Sequence, residues 1–284
     1  MNSTPKRGIL FAATGPEYLQ FAIRAARSVR AANPGLAIDL ATDQPERPDV
    51  FDPDVFDEVR PLAPGCRHPK LHAMPETRFE QTLYLDADLF VLANIEDVFS
   101  VLDRFDIALT HDQFRNSARA RNTWRREFAN AFPQYNSGVI AYRRTEPVLA
   151  FLRHWRESVL TSKARFDQPC LRELLWESDL RIATLPPEYN FMHYQQLRAW
   201  SESQSAPRIL HHSRFHSRKS RPAVRSVPEL LGPVLTRKLR HALGSDLEIR
   251  NGAPIRFAIS DLARPWRLRM LRKLTRLVRR RKAR

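Results

Sequence analysis

The amino-acid sequence predicts an α/β protein in which helices flank a mostly parallel central sheet. The chain has 284 residues, of which 43% are hydrophobic, and this is enough for one sizeable core. It opens with an apolar run, a helical pattern and a second apolar run, the strand–helix–strand order from which parallel sheets are built. Apolar runs and helical patterns then alternate along the chain. We therefore expect one large α/β domain.

The opening elements are the clearest. Residues 8–13 (GILFAA) are continuously apolar, which predicts a strand buried on both faces of the sheet. The turn residues 14–16 lead into a helix over 17–32, whose apolar residues recur on one face. Residues 33–35 (NPG) end this helix, and 36–42 form the second strand.

The later elements follow from the same patterns. Residues 43–69 are rich in Pro and Asp and predict an irregular segment. Residues 112–134 are basic with interleaved aromatic residues and predict a mobile loop plus a helix. Further strands are predicted at 81–85, 105–110, 138–142, 181–185 and 209–210. Further helices are predicted to begin near Lys70, Asn94, Thr145 and Asp167, the last three being helix-capping residue types.

Composition and motifs exclude several classes. The chain has two cysteines, Cys66 and Cys170, which argues against a disulfide-stapled secreted fold and suits a reducing compartment. Residues 1–7 lack the apolar stretch of a signal peptide, and no run approaches the ~18–20 apolar residues of a membrane span. The sequence contains neither a P-loop nor the GxGxxG fingerprint of dinucleotide-binding folds. We therefore expect a cytoplasmic protein.

Positive charge is concentrated at the end of the chain. Residues 262–284 contain nine Arg, two Lys and no acidic residue, so they carry +11 of the formal net charge of +16. On a helix, Leu262, Trp266 and Leu274 would share one face among arginines, which favours an amphipathic helix on an anionic membrane surface. Nucleic-acid binding and a tail without a specific partner are the alternatives. We expect peripheral association with the inner face of the membrane and no nucleic-acid partner.

Two aspartates interrupt the apolar run TLYLDADLFVL over 82–92. A buried charge costs several kcal/mol unless it is paired or bound to a metal ion. In a strand, Asp86 and Asp88 point the same way, at the carboxyl end where open α/β sheets bind ligands. Clustered oxygen ligands without thiols suit a hard divalent cation such as Mn²⁺ or Mg²⁺. The alternative is a turn in which both side chains cap backbone N–H groups.

This segment resembles the DxD motif of GT-A glycosyltransferases, in particular those related to glycogenin and to the bacterial lipopolysaccharide galactosyl- and glucosyltransferases. Four further segments resemble the same group in the same order. They are FPQYNSGVI (132–140), DQPCL (167–171), LPPEYN (185–190) and ILH (209–211). The resemblance covers residues 8–215 and implies the GT-A fold, a divalent cation and a nucleotide-sugar donor.

The resemblance also implies roles for individual residues. Asp86, Asp88 and His211 would bind the metal ion, and this mixed oxygen and nitrogen set suits Mn²⁺ better than Mg²⁺. Donor-binding residues would be Lys70, Asp86, Asn136, Ser137, Gly138, Asp167, Gln168, Asn190 and Arg214. Asp167 and Gln168 would meet the donor sugar and are the candidate catalytic residues. Retention of the anomeric configuration is expected because glycogenin-like enzymes retain it.

Several of these residues have simpler interpretations. Asp167 is also suited to cap a helix, and residues 136–138 (NSG) are ordinary turn chemistry. Lys70 is equally consistent with a solvated lysine. His211, taken by itself, would be a packed histidine at the end of a strand.

The region after the histidine departs from the family pattern. Glycogenin-like sequences have a glycine two or three residues after it, whereas here residues 212–219 read HSRFHSRK. The choice between His211 and His212 as ligand is therefore open, although the register favours His211. Arg214, Arg218 and Lys219 all compete as the cation that binds the diphosphate.

Together these observations predict a Mn²⁺- or Mg²⁺-dependent glycosyltransferase that moves a hexose from a UDP-sugar to a hydroxyl of a surface glycan or glycolipid precursor. Residues 1–220 would form the transferase domain and 221–284 a basic helical extension. Two rival interpretations are a catalytically inactive sugar-nucleotide-binding protein and a protein that binds nucleic acid through its tail. Because Asp88 would be unpaired without the metal ion, Asp88→Asn is expected to leave the metal-free protein at least as stable.

Overall fold

A computed structural model of the chain describes residues 6–47, 55–162, 166–216 and 222–249. The chain forms two compact units, Met1–Asp246 and Leu247–Arg284. The second unit is described only at 247–249, so the amphipathic helix predicted over 262–284 lies outside the described residues. The domain boundary predicted after residue 220 stays an expectation.

The described part of the first unit contains two β-sheets. Their strands are β1 (Arg7–Ala13), β2 (Ala37–Thr42), β3 (Glu58–Pro61), β4 (Gln81–Leu85), β5 (Leu89–Val91), β6 (Ile107–His111), β7 (Tyr135–Arg143), β8 (Ile182–Thr184) and β9 (Ile209–His211). The large sheet has the order β3-β2-β1-β4-β7-β6-β8, and the small sheet pairs β5 with β9 antiparallel. Within the large sheet β7 runs opposite to both of its neighbours, and the remaining pairings are parallel.

Helices cover both faces of the large sheet. Their bounds are α1 (Pro16–Ala32), α2 (Pro69–Ala73), α3 (Val98–Val101), α4 (Glu146–Thr161), α5 (Gln168–Glu177) and α6 (Val227–Ser245). The first apolar layer takes residues from α1 and α3, and the second takes residues from α2, α4 and α5. α6 packs instead into a third apolar cluster, beside Leu210 of the small sheet and Phe215. The predicted class, α/β with a mostly parallel sheet flanked by helices, is confirmed.

The strands of the large sheet are buried on both faces. In β1, Ile9 and Phe11 belong to the first layer, whereas Leu10 belongs to the second, and all three side chains are fully buried. Alternation of this kind requires apolar residues at every position, because each face of the strand meets helices. The continuous run at 8–13 therefore predicts β1 correctly. The packed sheet provides a rigid platform for the loops at its edges.

The reversed direction of β7 places its first residues beside the last residues of β4. In this antiparallel pair, Leu85 lies opposite Val139, and the N–H of Asp86 donates to the carbonyl of Gly138 over 2.8 Å. The start of β7 and the carboxyl end of β4 therefore lie at the same edge of the sheet. Asn136 and Ser137, predicted to precede a strand, lie within β7 itself.

Other predicted details are wrong. The segment 43–69, predicted as irregular, contains β3, which extends the parallel sheet beyond β2. Asn94 does not cap α3, which begins four residues later; its side chain instead accepts from the N–H of Glu96 over 2.9 Å.

The strands predicted at 181–185 and 105–110 are both present, within a few residues of these bounds.

The helix predicted within 112–134 is absent, although every residue of this segment is described. The segment forms turns, and several of its side chains contact α5. Arg125 pairs with Glu173 and Glu177, and Phe132 packs edge-on against Trp176 with ring centroids 4.9 Å apart. These tertiary contacts fix a conformation that local sequence does not specify.

Within the described ranges, the helices are all too short or too polar to cross a lipid bilayer.

Candidate active site

Asp86 and Asp88 lie in a loop at the carboxyl edge of the large sheet. β4 ends one residue before Asp86, and β5 begins one residue after Asp88. The strand alternation invoked for the two aspartates is therefore wrong, because neither residue is in a strand. The loop is held at both ends by backbone hydrogen bonds, from Asp86 N–H to Gly138 and from His212 N–H to the carbonyl of Asp88. These anchors, rather than a strand pleat, fix the two carboxylates.

The small sheet brings His211 to the aspartates. His211 is the last residue of β9 and lies opposite Leu89, the first residue of β5. Its Nε2 lies 3.0 Å from Oδ1 of Asp88. Asp86, Asp88 and His211 each offer one ligand atom within 4.8 Å of the other two. Residues that are more than one hundred positions apart in the sequence thus form one cluster.

The spacing of this cluster fits a divalent cation. In octahedral coordination with bonds of about 2.1 Å, neighbouring ligand atoms lie about 3.0 Å apart and opposite ones about 4.2 Å apart. Two carboxylates and one imidazole also form the mixed oxygen and nitrogen set that Mn²⁺ accepts. A second histidine, His216, lies close by, with Nε2 3.6 Å from Oδ2 of Asp88. His216 lies in the HSRFHSRK stretch, but no motif of the resemblance includes it.

A chain of buried amides orients His211. Asn190 is fully buried, and its Oδ1 lies 2.8 Å from Nδ1 of His211. The Nδ2 of Asn190 donates to Oδ1 of Asn136 over 2.9 Å, which identifies Oδ1 of Asn190 as the acceptor facing the imidazole. Nδ1 of His211 therefore carries a proton, and Nε2 faces Asp88. Hydrogen bonds of this kind set which ring nitrogen is left for a metal ion.

Opposite charges hold Asp88 and His211 together. Burial lowers the pKa of His211, but the adjacent Asp88 outweighs burial, so the pKa of His211 lies above its usual range. Burial raises the pKa of Asp88, but His211 and then His216 outweigh it, and the pKa of Asp88 lies well below its usual range. The charge of Asp88 and a proton on His211 therefore stabilise each other.

Asn190→Ala is expected to weaken Mn²⁺ binding by about 10–100-fold, because loss of a residue that orients a ligand has this effect in metal sites. Titration calorimetry with Mn²⁺ measures the change. The matched control is Asn94→Ala, which removes an exposed asparagine from another loop and should bind Mn²⁺ as the unmodified protein does. A folded Asn190→Ala protein with unchanged affinity would contradict this role of Asn190.

Lys70 connects two of the carboxylates. Its Nζ lies 3.3 Å from Oδ1 of Asp86, 3.1 Å from Oδ2 of Asp167 and 2.9 Å from Oγ of Ser137. Burial lowers the pKa of Lys70, but Asp167 and Asp86 together outweigh it, so its pKa lies above its usual range and the ammonium stays charged. Its three protons all face protein acceptors. Lys70 thus positions the carboxylates and is not the solvated lysine considered above.

Asp167 occupies the N-cap position of α5, but its side chain makes no capping hydrogen bond. Its carboxylate accepts instead from Oγ of Ser137 over 3.0 Å and pairs with Lys70. Its carbonyl accepts from Nε1 of Trp155 over 3.1 Å, which fixes the start of the helix. Burial raises the pKa of Asp167, but Lys70 and Ser137 outweigh burial, and the pKa lies below its usual value. The carboxylate is therefore a poor proton acceptor, which disfavours Asp167 as a general base.

Gly138 makes room for the ligand cluster. A Cβ at this position would lie 2.3 Å from Cε1 of His211 and 2.9 Å from Oδ2 of Asp86. Both distances are below those that real Cβ atoms show, so any side chain would displace His211 or Asp86. The glycine is needed for space, since its backbone does not adopt a positive φ.

The cluster opens into a cavity of about 520 Å³. Most of the predicted site residues line it: Lys70, Asp86, Asp88, Asn136, Ser137, Asp167, Gln168 and His211. Asn190 and Gly138 lie behind this lining. Lining residues that the sequence analysis did not select include Arg119, Asp112, Phe114, Met192 and His216. The segment 112–134, predicted from its sequence as a mobile loop plus a helix, contributes three of these.

Arg214, Arg218 and Lys219 are the basic side chains that the sequence offers for contact with a diphosphate. Arg214 is not among the described residues that line the cavity. Arg218 and Lys219 lie outside the described residues. His212 lines the cavity, but its Nδ1 accepts from the N–H of Arg214 over 3.1 Å, and it is not a member of the three-residue cluster. This geometry favours His211 over His212 as a metal ligand.

Comparison with known structures shows the same fold in glycosyltransferases. The glycosyltransferase GlyE of Streptococcus pneumoniae TIGR4 superimposes with a TM-score of 0.56 at 18% identity, covering 87% of this chain and 66% of GlyE. The apo form of GlyE gives a TM-score of 0.52, also at 18% identity, covering 84% of this chain and 63% of GlyE. The galactosyltransferase LgtC, in complex with donor and acceptor sugar analogues, gives a TM-score of 0.49 at 16% identity over 83% of this chain and 96% of LgtC. The chain thus spans slightly less than two thirds of GlyE.

Sequence comparison shows a similarity that is confined to one part of the chain. Residues 80–220 match the family described as nucleotide-diphospho-sugar transferase. A comparison with curated proteins gives no match. The matched segment begins just before β4 and contains the DxD loop, the start of β7, the start of α5 and His211. Residues 80–220 are therefore similar to nucleotide-diphospho-sugar transferases, and the fold of the chain is that of GT-A glycosyltransferases.

Proposed function

We propose that this protein is a divalent-metal-dependent glycosyltransferase that moves a hexose from a UDP-sugar to a hydroxyl group of its acceptor. The observation that carries the proposal is the convergence of Asp86, Asp88 and His211 at one edge of the cavity. The similarity of residues 80–220 to nucleotide-diphospho-sugar transferases supports glycosyl transfer as the type of reaction. The cation is Mn²⁺ or Mg²⁺, with Mn²⁺ favoured by the imidazole.

The charges of the site support a resident cation. Asp86, Asp88 and Asp167 bring three negative charges, and Lys70 brings one positive charge, so the group carries −2 when His211 is neutral. Concentrated negative charge repels the diphosphate of a nucleotide sugar. A divalent cation would neutralise the group and let the diphosphate approach. Asp86, Asp88 and Nε2 of His211 would hold it.

Different residues of the cavity would have different roles in the transfer reaction. The bound cation would supply Lewis-acid stabilisation of the negative charge that grows on the leaving diphosphate. Asp167, ionised and fixed by Lys70 and Ser137, faces the cavity and would accept hydrogen bonds from donor sugar hydroxyls. Its charge would also stabilise positive charge on the sugar ring. Gln168 begins α5 beside it and would contact the same sugar.

The same proposal includes three further points. The enzyme retains the anomeric configuration, its acceptor is a surface glycan or glycolipid precursor, and it attaches peripherally to the inner face of the membrane. Retention and the acceptor class come from the resemblance to glycogenin-like and lipopolysaccharide-forming enzymes. The membrane surface comes from the charge and apolar pattern of residues 262–284. A lipid-linked acceptor at the cytoplasmic leaflet would be consistent with both. The 221–284 extension would then hold the transferase domain near its acceptor.

A panel of nucleotide sugars, each with and without Mn²⁺, tests the proposed donor. UDP-hexoses are expected to raise the melting temperature in the presence of Mn²⁺, since a ligand at 100 times its Kd adds about 2.7 kcal/mol of stability. Chelation of the cation should abolish the shift, and ADP- and GDP-hexoses serve as comparison ligands. Absence of any nucleotide-sugar shift with Mn²⁺ would contradict the proposal.

Donor hydrolysis separates the enzyme from a non-catalytic binding protein. An active transferase is expected to release UDP slowly from its donor when water replaces the acceptor, and only when the cation is present. UDP-sugar binding without any release over long incubation would favour the inactive sugar-nucleotide-binding protein. RNA binding that survives deletion of 262–284, without a response to nucleotide sugars, would favour the nucleic-acid interpretation.

A further inference from the structure

We infer that a second cavity, beside the one that contains the ligand cluster, binds an acidic or phosphorylated sugar of the acceptor. This inference rests on the proposed function and adds the chemical class of the acceptor. The second cavity also has a volume of about 520 Å³. It is built by the irregular segment 112–134 together with Arg172 of α5. We call it the arginine pocket.

Charge in the arginine pocket favours an anion. Arg115, Arg121 and Arg172 line it, with Glu127 as the acidic member of the lining. Arg115 and Arg121 are exposed, so their guanidinium groups are available to solvent on one side of the pocket. Guanidinium groups bind carboxylate and phosphate oxygens through paired N–H donors. Three of them against one carboxylate give the pocket a net positive charge.

Two buried side chains of the pocket have polar atoms without a partner among the described residues. Arg172 is 7% exposed, and its Nε makes no hydrogen bond, although another of its nitrogens donates to the carbonyls of Ala129 and Phe132. Gln134 is 2% exposed, and its Oε1 makes no hydrogen bond. A buried polar atom without a hydrogen-bond partner costs about 1–3 kcal/mol of stability. A ligand that forms a hydrogen bond with such an atom would remove this cost. One atom is a donor and the other is an acceptor.

This pair of atoms specifies more than a bare anion. Nε of Arg172 can donate only to an acceptor, such as a carboxylate or phosphate oxygen. Oε1 of Gln134 can accept only from a donor, such as a sugar hydroxyl. Phe128 adds an apolar face to the lining. A ring that carries both hydroxyls and one anionic group satisfies all three features. A carboxylate on an acidic sugar and a phosphate ester on a neutral sugar share this chemistry.

Gln134 also connects the arginine pocket to the cavity lined by Asp86, Asp88 and His211, which we call the donor cavity. Its Nε2 donates to Oε1 of Gln168, which lines the donor cavity, and to the carbonyl of Arg119, whose side chain lines the same cavity. Gln168 is the residue proposed above to meet the donor sugar. A ligand in the arginine pocket would therefore be one side chain away from the transferred hexose. This placement suits the acceptor, because its hydroxyl must reach the anomeric carbon.

The test compares acidic with neutral sugars as probes of the whole protein. Titration calorimetry measures the affinities for glucuronate, glucose 6-phosphate, inorganic phosphate and glucose. The unmodified protein should bind glucuronate or glucose 6-phosphate at least about tenfold more tightly than glucose, since one charge-assisted hydrogen bond gives this difference. Tighter binding of glucuronate or of glucose 6-phosphate identifies the anionic group as carboxylate or phosphate. Equal binding of glucose and both acidic sugars overturns the inference.

Substitutions locate the binding. The double variant Arg115→Gln/Arg121→Gln should lose about tenfold or more in affinity for the acidic probe. Both side chains are exposed, so the fold should tolerate their replacement. Arg126→Gln is the matched control, because Arg126 lies in the same segment, pairs with Glu177 and does not line the pocket. Equal losses in the double variant and in the control would overturn the inference.

Two parallel measurements separate this inference from the proposed function. Binding of UDP-hexose with Mn²⁺ reports on the donor cavity alone. If UDP-hexose binds and the acidic probe does not, the arginine pocket is not an acceptor site and the proposed function stands. If the acidic probe binds and UDP-hexose does not, the proposed function fails while the pocket remains an anion site. Displacement of the acidic probe by UDP would assign the pocket to the donor and overturn the inference.

Discussion

Asp88→Asn is expected to abolish Mn²⁺-dependent binding of the UDP-sugar and to reduce transfer by more than about 100-fold. The change removes one of two anionic ligands while keeping the size of the side chain. Loss even of a residue that merely orients a metal ligand costs about 10–100-fold, so loss of the ligand itself should cost more. Donor-dependent thermal shifts and release of UDP, each with and without Mn²⁺, measure the effect.

The same substitution is now expected to destabilise the metal-free protein. Sequence alone treats Asp88 as an unpaired charge, but the structure pairs it with His211 over 3.0 Å and with His216 over 3.6 Å. Because the pKa of Asp88 is lowered in the folded state, the pair contributes stability above the pKa of the unfolded chain and loses it as pH falls. Near neutral pH the loss should be about 1–3 kcal/mol. Chemical denaturation without metal measures it.

Asp106→Asn is the matched control for this experiment. The side chain of Asp106 is 17% exposed, close to the 19% of Asp88, and it pairs with Arg181 over 2.8 Å, away from the donor cavity. The control should lose some stability but respond fully to UDP-sugar and Mn²⁺. An Asp88→Asn protein that still shows the complete metal-dependent shift would remove the basis for the metal site.

Local sequence patterns predicted the fold where each element is specified by its own residues. β1, α1 and β2 have continuous apolar runs or a one-sided apolar pattern, and their positions agree with the predictions within a few residues. β5 is different, because its three residues form a strand only through pairing with β9, more than one hundred positions later. A local pattern does not encode that pairing. The turns of 112–134 are likewise fixed by contacts with α5.

The sequence could predict which residues form the site, but not which of them contact one another. Asp86, Asp88 and His211 came from motif resemblance, and the structure brings them together. For Asn190, the motif suggests a contact with the donor. In the structure, however, its side-chain amide forms hydrogen bonds with His211 and Asn136. Which groups a polar side chain contacts depends on the folded chain. Sequence spacing alone contains no such information.

Gly138→Ala is expected to disrupt the metal site with the smallest possible addition, one methyl group. The new Cβ would lie 2.3 Å from Cε1 of His211 and 2.9 Å from Oδ2 of Asp86, so at least one of these ligands must move. Mn²⁺ affinity should fall by more than about tenfold, comparable to loss of an orienting residue. Overpacking of this kind should also cost about 1–3 kcal/mol of stability. Titration calorimetry with Mn²⁺ and denaturant unfolding measure the two effects.

Two other glycines separate a local effect on the ligands from a general loss of stability. Gly8→Ala would place its Cβ 2.3 Å from the ring of Phe79, so it should destabilise the same sheet without touching the cluster. Gly35→Ala meets nothing within 4 Å and should change neither property. If space for His211 is the function of Gly138, only Gly138→Ala will lose Mn²⁺ affinity while still folded. Equal Mn²⁺ affinity in folded Gly138→Ala and Gly8→Ala proteins would show that the imidazole can move without weakening the site.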